Sequence, residues 1–300
     1  VLDEFGVLQT GIYTCEDGTI AGCAEDATPY TGFVTDETGH ATYYFNENGI
    51  AQTGWQTVDG ATYYLGEDGV LRTGLTSIDD SVYDFGTDGA MQTGLVTMED
   101  GTVLFFGADG KQAMGLQTVD GKTYYFSDLG MAVNAKQTID GKTYYFGADG
   151  SMQTGLVTLN NGVYYFGKDG SMQTGFVTME DGTVLFFGAD GKQAMGLQTV
   201  NGKTYYFSDL GMTVNAKQTI DGKTYYFGAD GSMQTGKVTL KDGSYYFGEN
   251  GEQVTGWLVL DGSEYYFDLT TGKMATGTVT LPDGTYIFDE NGVLQKKQSG

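Results

Sequence analysis

The sequence predicts an all-β fold, a repeat solenoid of stacked β-hairpins about 20 residues long. Three observations predict it. A Tyr-Tyr-Phe triplet returns at Tyr43, Tyr124, Tyr144, Tyr164, Tyr205, Tyr225, Tyr245 and Tyr265. Worn copies begin at Tyr63, Tyr83, Leu104, Leu185 and Tyr286, and the third members recur every 20 or 21 residues from Phe45 to Phe288. The 49 glycines, against only 2 prolines, fall at fixed places in the repeat, where they mark turns rather than flexible linkers. Each unit of such an array contacts mainly its neighbours, so the period overrides the domain count that chain length alone would suggest.

Residues 1–32 hold degenerate repeats, still in phase. Residues 1–9 match 287–295, so the sequence opens mid-repeat and reads as cut from a longer protein. Residues 11–19 align with 94–102, which puts Cys15 at the Met98 position and Cys23 at the Phe106 position. Two cysteines in one worn repeat suggest a disulfide in place of lost aromatic packing. The turn register sets them apart along the hairpin, and a bridge needs Cα atoms within about 7 Å. Two small buried thiols are the alternative.

Residues 33–288 form thirteen hairpin repeats. In residues 115–126, two β-prone runs flank Asp120-Gly121, a pair that accepts the positive φ angles of a type I′ turn. The same device stands at Asp59-Gly60, Asp140-Gly141, Asp221-Gly222 and Asp261-Gly262, with Asn161-Gly162 and Asn201-Gly202 as the Asn form. The 21-residue copies widen the turn at residues 99–102 and 180–183. Side chains alternate along a strand, so the first Tyr and the Phe share one face. We assign that face, typified by Tyr124 and Phe126, to the core, and the Tyr125 face to the groove between neighbours. Residues 94–155 recur as 175–236, shifted by 81 residues with three changes, which marks a four-repeat duplication. At Asn134-Ala135-Lys136 and Asn215-Ala216-Lys217 the usual Thr-Gly-Leu is replaced, which should change the backbone turn. Residues 289–300 are a short tail.

Composition excludes several functions. Lys+Arg 15 against Asp+Glu 39 gives a net charge of −24, which repels nucleic acid and anionic lipid. No apolar run approaches the roughly 18 residues of a membrane span, and no signal peptide is visible. Catalysis fares worst: His40 stands alone, and the paired carboxylates occupy turns, where Asp supports local backbone bonds. No metal site and no cofactor site is expected.

The pattern resembles the cell-wall/choline-binding repeat superfamily of Gram-positive surface proteins. The residues that carry it are 54–60 with Tyr63 and Tyr64, and 219–227. The relatives include choline-binding modules, the glucan-binding repeats of glucansucrases and the repetitive domains of large clostridial toxins. The resemblance implies a left-handed β-solenoid and an extracellular or cell-surface location. A choline site in that family is a cage of tryptophans after the first glycine and before the Tyr-Tyr pair. Here the first is kept only at Trp55 and Trp257, and the second is Thr, Val, Ser or Glu. The Lys-Thr-Tyr-Tyr-Phe form stands closer to the carbohydrate-binding relatives.

The leading expectation is therefore non-catalytic, multivalent binding of a polysaccharide or cell-surface glycan. Candidate platforms are Trp55 with Tyr64, Trp257 with Tyr266, and the groove residues Tyr125, Tyr145, Tyr206 and Tyr226. Lys136 and Lys217 join them because they stand where Leu or Trp usually sits. The bland reading of each tyrosine is packing between repeats. The alternatives are a spacer, an adhesin stalk or a protein-docking array, and, behind these, choline-type anchoring. A protein partner or catalytic domain could lie outside the sequence.

Overall fold

The computed structural model describes residues 9–298. All named elements among them are strands, arranged as fourteen small sheets, each built on one antiparallel hairpin. The expected mid-repeat opening at residues 1–8 and the last two tail residues lie outside the described residues. The chain folds into two compact units, Val1–Gln153 and Thr154–Gly300, with seven hairpins in each.

The turns explain the hairpins. Strands Gly115–Val119 and Lys122–Ser127 pair in register across Asp120 and Gly121. Both turn residues have positive φ, 50° and 76°, which gives the right twist for a two-residue connection. Asp59, Asp140, Asn201, Asp221 and Asp261 do the same. Asn161-Gly162 departs from the expectation. The strands end at Leu159 and restart at Gly162, so the turn pair is Asn160-Asn161 and Gly162 opens the next strand at φ 146°. Gly243 and Gly284 repeat this arrangement. In these two hairpins the triplet follows one residue sooner, so the Asp becomes the second turn residue.

Within each unit, backbone bonds stitch hairpins to the ones before them. In the N-terminal unit Leu71 N donates to Thr42 O at 2.7 Å and Met91 N to Thr62 O at 2.8 Å. In the C-terminal unit Met233 N donates to Thr204 O at 2.7 Å and Met274 N to Ser244 O at 2.8 Å. The connector also fixes one glycine by close approach. Gly150 has φ +75°, where a side chain is strained, and a Cβ there would also push on Met131 Cε at 2.6 Å, which favours glycine.

The core is a column of third-position side chains in each unit. Phe45, Leu65, Phe85, Phe106, Phe126 and Phe146 are buried in the first, and Phe166 through Phe288 at the same spacing in the second. The face assignment holds at Tyr124 and Phe126, which are buried, and needs correction at Tyr226 and Tyr266. Of the second-position residues, Tyr226 and Tyr266 are buried, and Tyr125, Tyr145 and Tyr206 are half-buried. The rings of Tyr125, Tyr206 and Tyr226 lean on the next phenylalanine, with Tyr125–Phe146 at 5.9 Å and Tyr206–Phe227 and Tyr226–Phe247 at 6.0 Å. Both tyrosines of a triplet thus take part in packing, because a hairpin this narrow has no other apolar cover.

The worn N-terminal hairpin keeps the register expected of it. Gly11 pairs with Cys23, as Gly94 pairs with Phe106, so Cys23 fills the core position. The disulfide does not form: both thiols are free. Cys15 sits at the turn, its N–H donating to Thr19 O at 2.7 Å, while Cys23 lies at the far end and donates its Sγ–H to Gln9 O at 3.1 Å. Cys23 is buried and Cys15 half-buried.

Asp84 breaks the aromatic rule at a second triplet position. It is 5% exposed, makes no side-chain ion pair or hydrogen bond among the described contacts, and its burial raises its carboxyl above the ordinary value. A carboxyl raised in the fold favours folding while protonated, below its unfolded pKa near 3.9. That stability is lost as pH climbs through the higher folded value. Asp84→Tyr should stabilise the protein at pH 7 by about 1–2 kcal/mol, replacing a desolvated carboxylate with a ring. Urea unfolding at pH 7 and pH 4 checks this, since the advantage over wild type should shrink at the lower pH.

Candidate binding site: aromatic junctions between hairpins

Strand pairing places a ring after the hairpin's first glycine directly opposite the second tyrosine of the same hairpin. In the N-terminal unit Trp55 faces Tyr64 across Gly54–Val58 and Ala61–Leu65, with centroids 5.0 Å apart. The neighbouring hairpin then supplies Tyr83, 4.9 Å from Trp55. The C-terminal unit repeats this at Trp257, with Tyr266 at 5.1 Å and Tyr286 at 4.8 Å. Both contacts are edge-on, the favoured geometry for aromatic pairs. Phe33 with Tyr44 and Tyr63, and Phe176 with Phe186 and Tyr205, form the same triads.

The structure thus joins Trp55 to Tyr64 and Trp257 to Tyr266, and adds two residues that sequence reasoning missed, Tyr83 and Tyr286. Within one repeat no cage closes, because the position before Tyr-Tyr is Thr, Val, Ser or Glu. The third ring comes from the next repeat, one period further on, and that spacing was the signal. Trp55 and Trp257 remain 42% and 44% exposed, so each offers a ring face. Tyr226 and Tyr266 are each less than one-tenth exposed and offer little.

Two triads border hollows. One, of about 440 Å³, is lined by Trp257, Leu258, Glu264, Asp283, Tyr286 and Lys297, among others. The other, of about 370 Å³, includes Phe33, His40, Tyr63 and Asp88. Tyr286 donates its hydroxyl to Asp283 Oδ2 at 2.7 Å, a bond made possible by the shifted turn at Gly284. This bond, then the Lys297 ammonium, holds the Asp283 carboxyl below the ordinary carboxylate range. Tyr245 and Asp242 form the matching pair at 2.6 Å. Burial, then Asp242, pushes the Tyr245 hydroxyl up to about 12. Rings beside ionised carboxylates attract compact cations.

The lysine junctions are built differently. The left-handed residue moves back from the usual glycine to Asn134 and Asn215, both at φ 48°, which is the changed turn the sequence foresaw. Lys136 is exposed and stands opposite Tyr145. Lys217 stands opposite Tyr226, and its Nζ lies 3.1 Å from the centroid of the Tyr245 ring. Burial pulls the Lys217 ammonium below its ordinary pKa. The turn aspartates serve the turns: Asp149 Oδ1 accepts from Ser151 N at 3.0 Å and from Ser151 Oγ at 2.6 Å. Among the described residues no group of three or more His, Cys, Asp or Glu is placed to hold a metal.

Comparison with known proteins agrees with this architecture. The profile of the choline-binding repeat matches residues 31–71, 133–172, 214–253 and 239–279. That of a cell wall binding repeat matches 195–211. No curated protein matches the sequence. Among solved structures, the chain is similar to the choline-binding domain of CbpL from Streptococcus pneumoniae. Identity is 28%, coverage 62% of this chain and 100% of that one, and the TM-score 0.50. It also resembles choline binding protein F from Streptococcus pneumoniae, solved in the presence of a peptidoglycan analogue. There identity is 26%, coverage 88% and 92%, and the TM-score 0.49. An alternansucrase in complex with isomaltononaose matches at 22% identity over 82% of this chain and 23% of that one, with a TM-score of 0.32. With the two repeat profiles together spanning more than half of its residues, on a framework of stacked aromatic hairpins, the chain belongs to the cell-wall/choline-binding repeat superfamily.

Proposed function

We propose that the chain is a non-catalytic binding module of a Gram-positive cell surface, and that it holds a cell-wall glycan polymer by its quaternary ammonium substituents. The observation that carries this is the Trp257 hollow, where two rings and the carboxylates of Asp283 and Glu264 line one space. A quaternary ammonium needs an aromatic face and a nearby negative charge, and no hydrogen-bond donor. This narrows the sequence expectation of glycan stacking, since a bare sugar would gain from the rings but little from paired carboxylates. One such contact is worth about 0.5–2 kcal/mol, so single sites are weak and the polymer is held by several at once.

The test is retention on a choline-substituted resin. Because the chain carries a net charge of −24, it will adhere to any cationic matrix, so elution by choline must be compared with sodium chloride at equal ionic strength. Elution by choline at a concentration where the sodium salt fails supports the reading. Equal elution by both salts, with retention on an α-glucan column, returns the site to plain sugar stacking. Equal elution and no glycan retention leaves the spacer reading.

A further inference from the structure

The cation position of the Trp257 hollow is already filled from within the chain. Lys297 lies on Leu294–Gln298, the edge strand that adds to Gly284–Phe288, directly opposite Tyr286. Its Nζ stands 5.0 Å from the centroid of the Tyr286 ring and 3.3 Å from Asp283 Oδ2. A ligand ammonium entering this hollow would seek the same ring and the same carboxylate.

Lys217 shows the same substitution of an internal cation at the Tyr245–Asp242 pair. The two lysines differ in what holds them. Lys217 belongs to a central hairpin, Ala216–Ile220 paired with Lys223–Phe227, and is half-buried. Lys297 lies on an edge strand whose register shifts between Ile287 and Phe288, and its side chain is 52% exposed. Moving Lys217 would empty a packed site, whereas Lys297 can swing into water at little cost.

We infer that Lys297 is a tethered competitor that occupies the ligand's cation position in the free chain and leaves it when a quaternary ammonium binds, while Lys217 keeps its own junction permanently closed. This rests on the reading of the Trp257 hollow as a cation site. The competition lowers apparent affinity by the fraction of time the position is open. An occupancy of nine-tenths costs roughly tenfold.

The experiment reads Trp257 fluorescence in a Trp55→Phe background, which leaves Trp257 as the single tryptophan. Choline and tetramethylammonium are titrated at constant ionic strength into this protein, into Lys297→Gln and into Lys296→Gln. The second substitution removes the same charge from the neighbouring position, which pairs with Ile287. Lys297→Gln should tighten both ligands roughly tenfold, and Lys296→Gln should leave them within about twofold of the parent. Circular dichroism checks that the edge strand persists. In the parent, the Lys297 ε-methylene protons should resonate upfield under the Tyr286 ring current and return towards free-lysine positions as choline is added. Equal affinities in the two lysine variants, or choline binding with no movement of those protons, would overturn the inference and leave the site reading intact. No saturable response in any variant would overturn both.

Discussion

Phe227→Ala should lower stability by about 3–5 kcal/mol, the range for emptying a buried aromatic site. Phe227 is fully buried and carries the ring of Tyr206 at 6.0 Å. Its backbone bridges to Met233, whose N–H in turn is bonded to the preceding hairpin. Removing the ring takes away the surface on which Tyr206 lies and leaves a void between two hairpins that have no second layer to collapse onto. In a repeat array such a loss is felt first by the nearest neighbours. Native-state hydrogen exchange should therefore show the largest fall in protection in the strands around residues 196–247, with the far hairpins changed least. Uniform loss across the chain would mean that the repeats unfold as one body.

Most of that framework is legible in the sequence, because it is repeated. A period of 20 or 21, an Asp-Gly between β-prone runs and a Phe at each third triplet position leave one economical arrangement. The worn cap follows from the same phase, since Cys23 aligns with Phe106 in the repeat and takes its place opposite Gly11. What escaped is whatever depends on one hairpin meeting the next. Tyr83 and Tyr286 complete triads whose other two members lie a period earlier, so a search within one repeat misses them. The side of the sheet on which the second tyrosine would be covered is likewise a property of the stack. Alternation fixes which residues share a face and says nothing about what lies above it. The turns at Gly162, Gly243 and Gly284 escaped for a smaller reason. In each, the triplet begins two residues after the glycine rather than three, and that single residue turns Asp242 and Asp283 towards a tyrosine hydroxyl. Lys217, a candidate because it stands where Leu or Trp usually sits, lays its ammonium on the Tyr245 ring, a contact that the next hairpin supplies.

Trp257→Leu should weaken quaternary ammonium binding at the C-terminal hollow at least tenfold while leaving the fold in place. Leucine already fills the equivalent position at Leu116, Leu156 and Leu197, and those hairpins keep the same register across it. The substitution therefore removes a ring without asking the hairpin to do anything new. A tenfold loss corresponds to about 1.4 kcal/mol, within the value of one well-placed cation–π face. Unfolding stability should fall by about 1–2 kcal/mol, since leucine gives up the edge-on contacts to Tyr266 and Tyr286, while the exposed face of Trp257 contributes little. Trp55→Leu is the informative companion. Trp55 makes the same contacts to Tyr64 and Tyr83, but its hairpin pair carries Asp84 where the other has Ile287, and no aspartate hooks the Tyr83 hydroxyl. If the rings alone make the site, the two substitutions should cost retention equally. If the carboxylate beside the ring is needed, Trp257→Leu should cost more and Trp55→Leu should be nearly silent. Isothermal titration with choline on the two single variants separates these outcomes, and unchanged affinity in Trp257→Leu would remove the Trp257 junction from the binding surface.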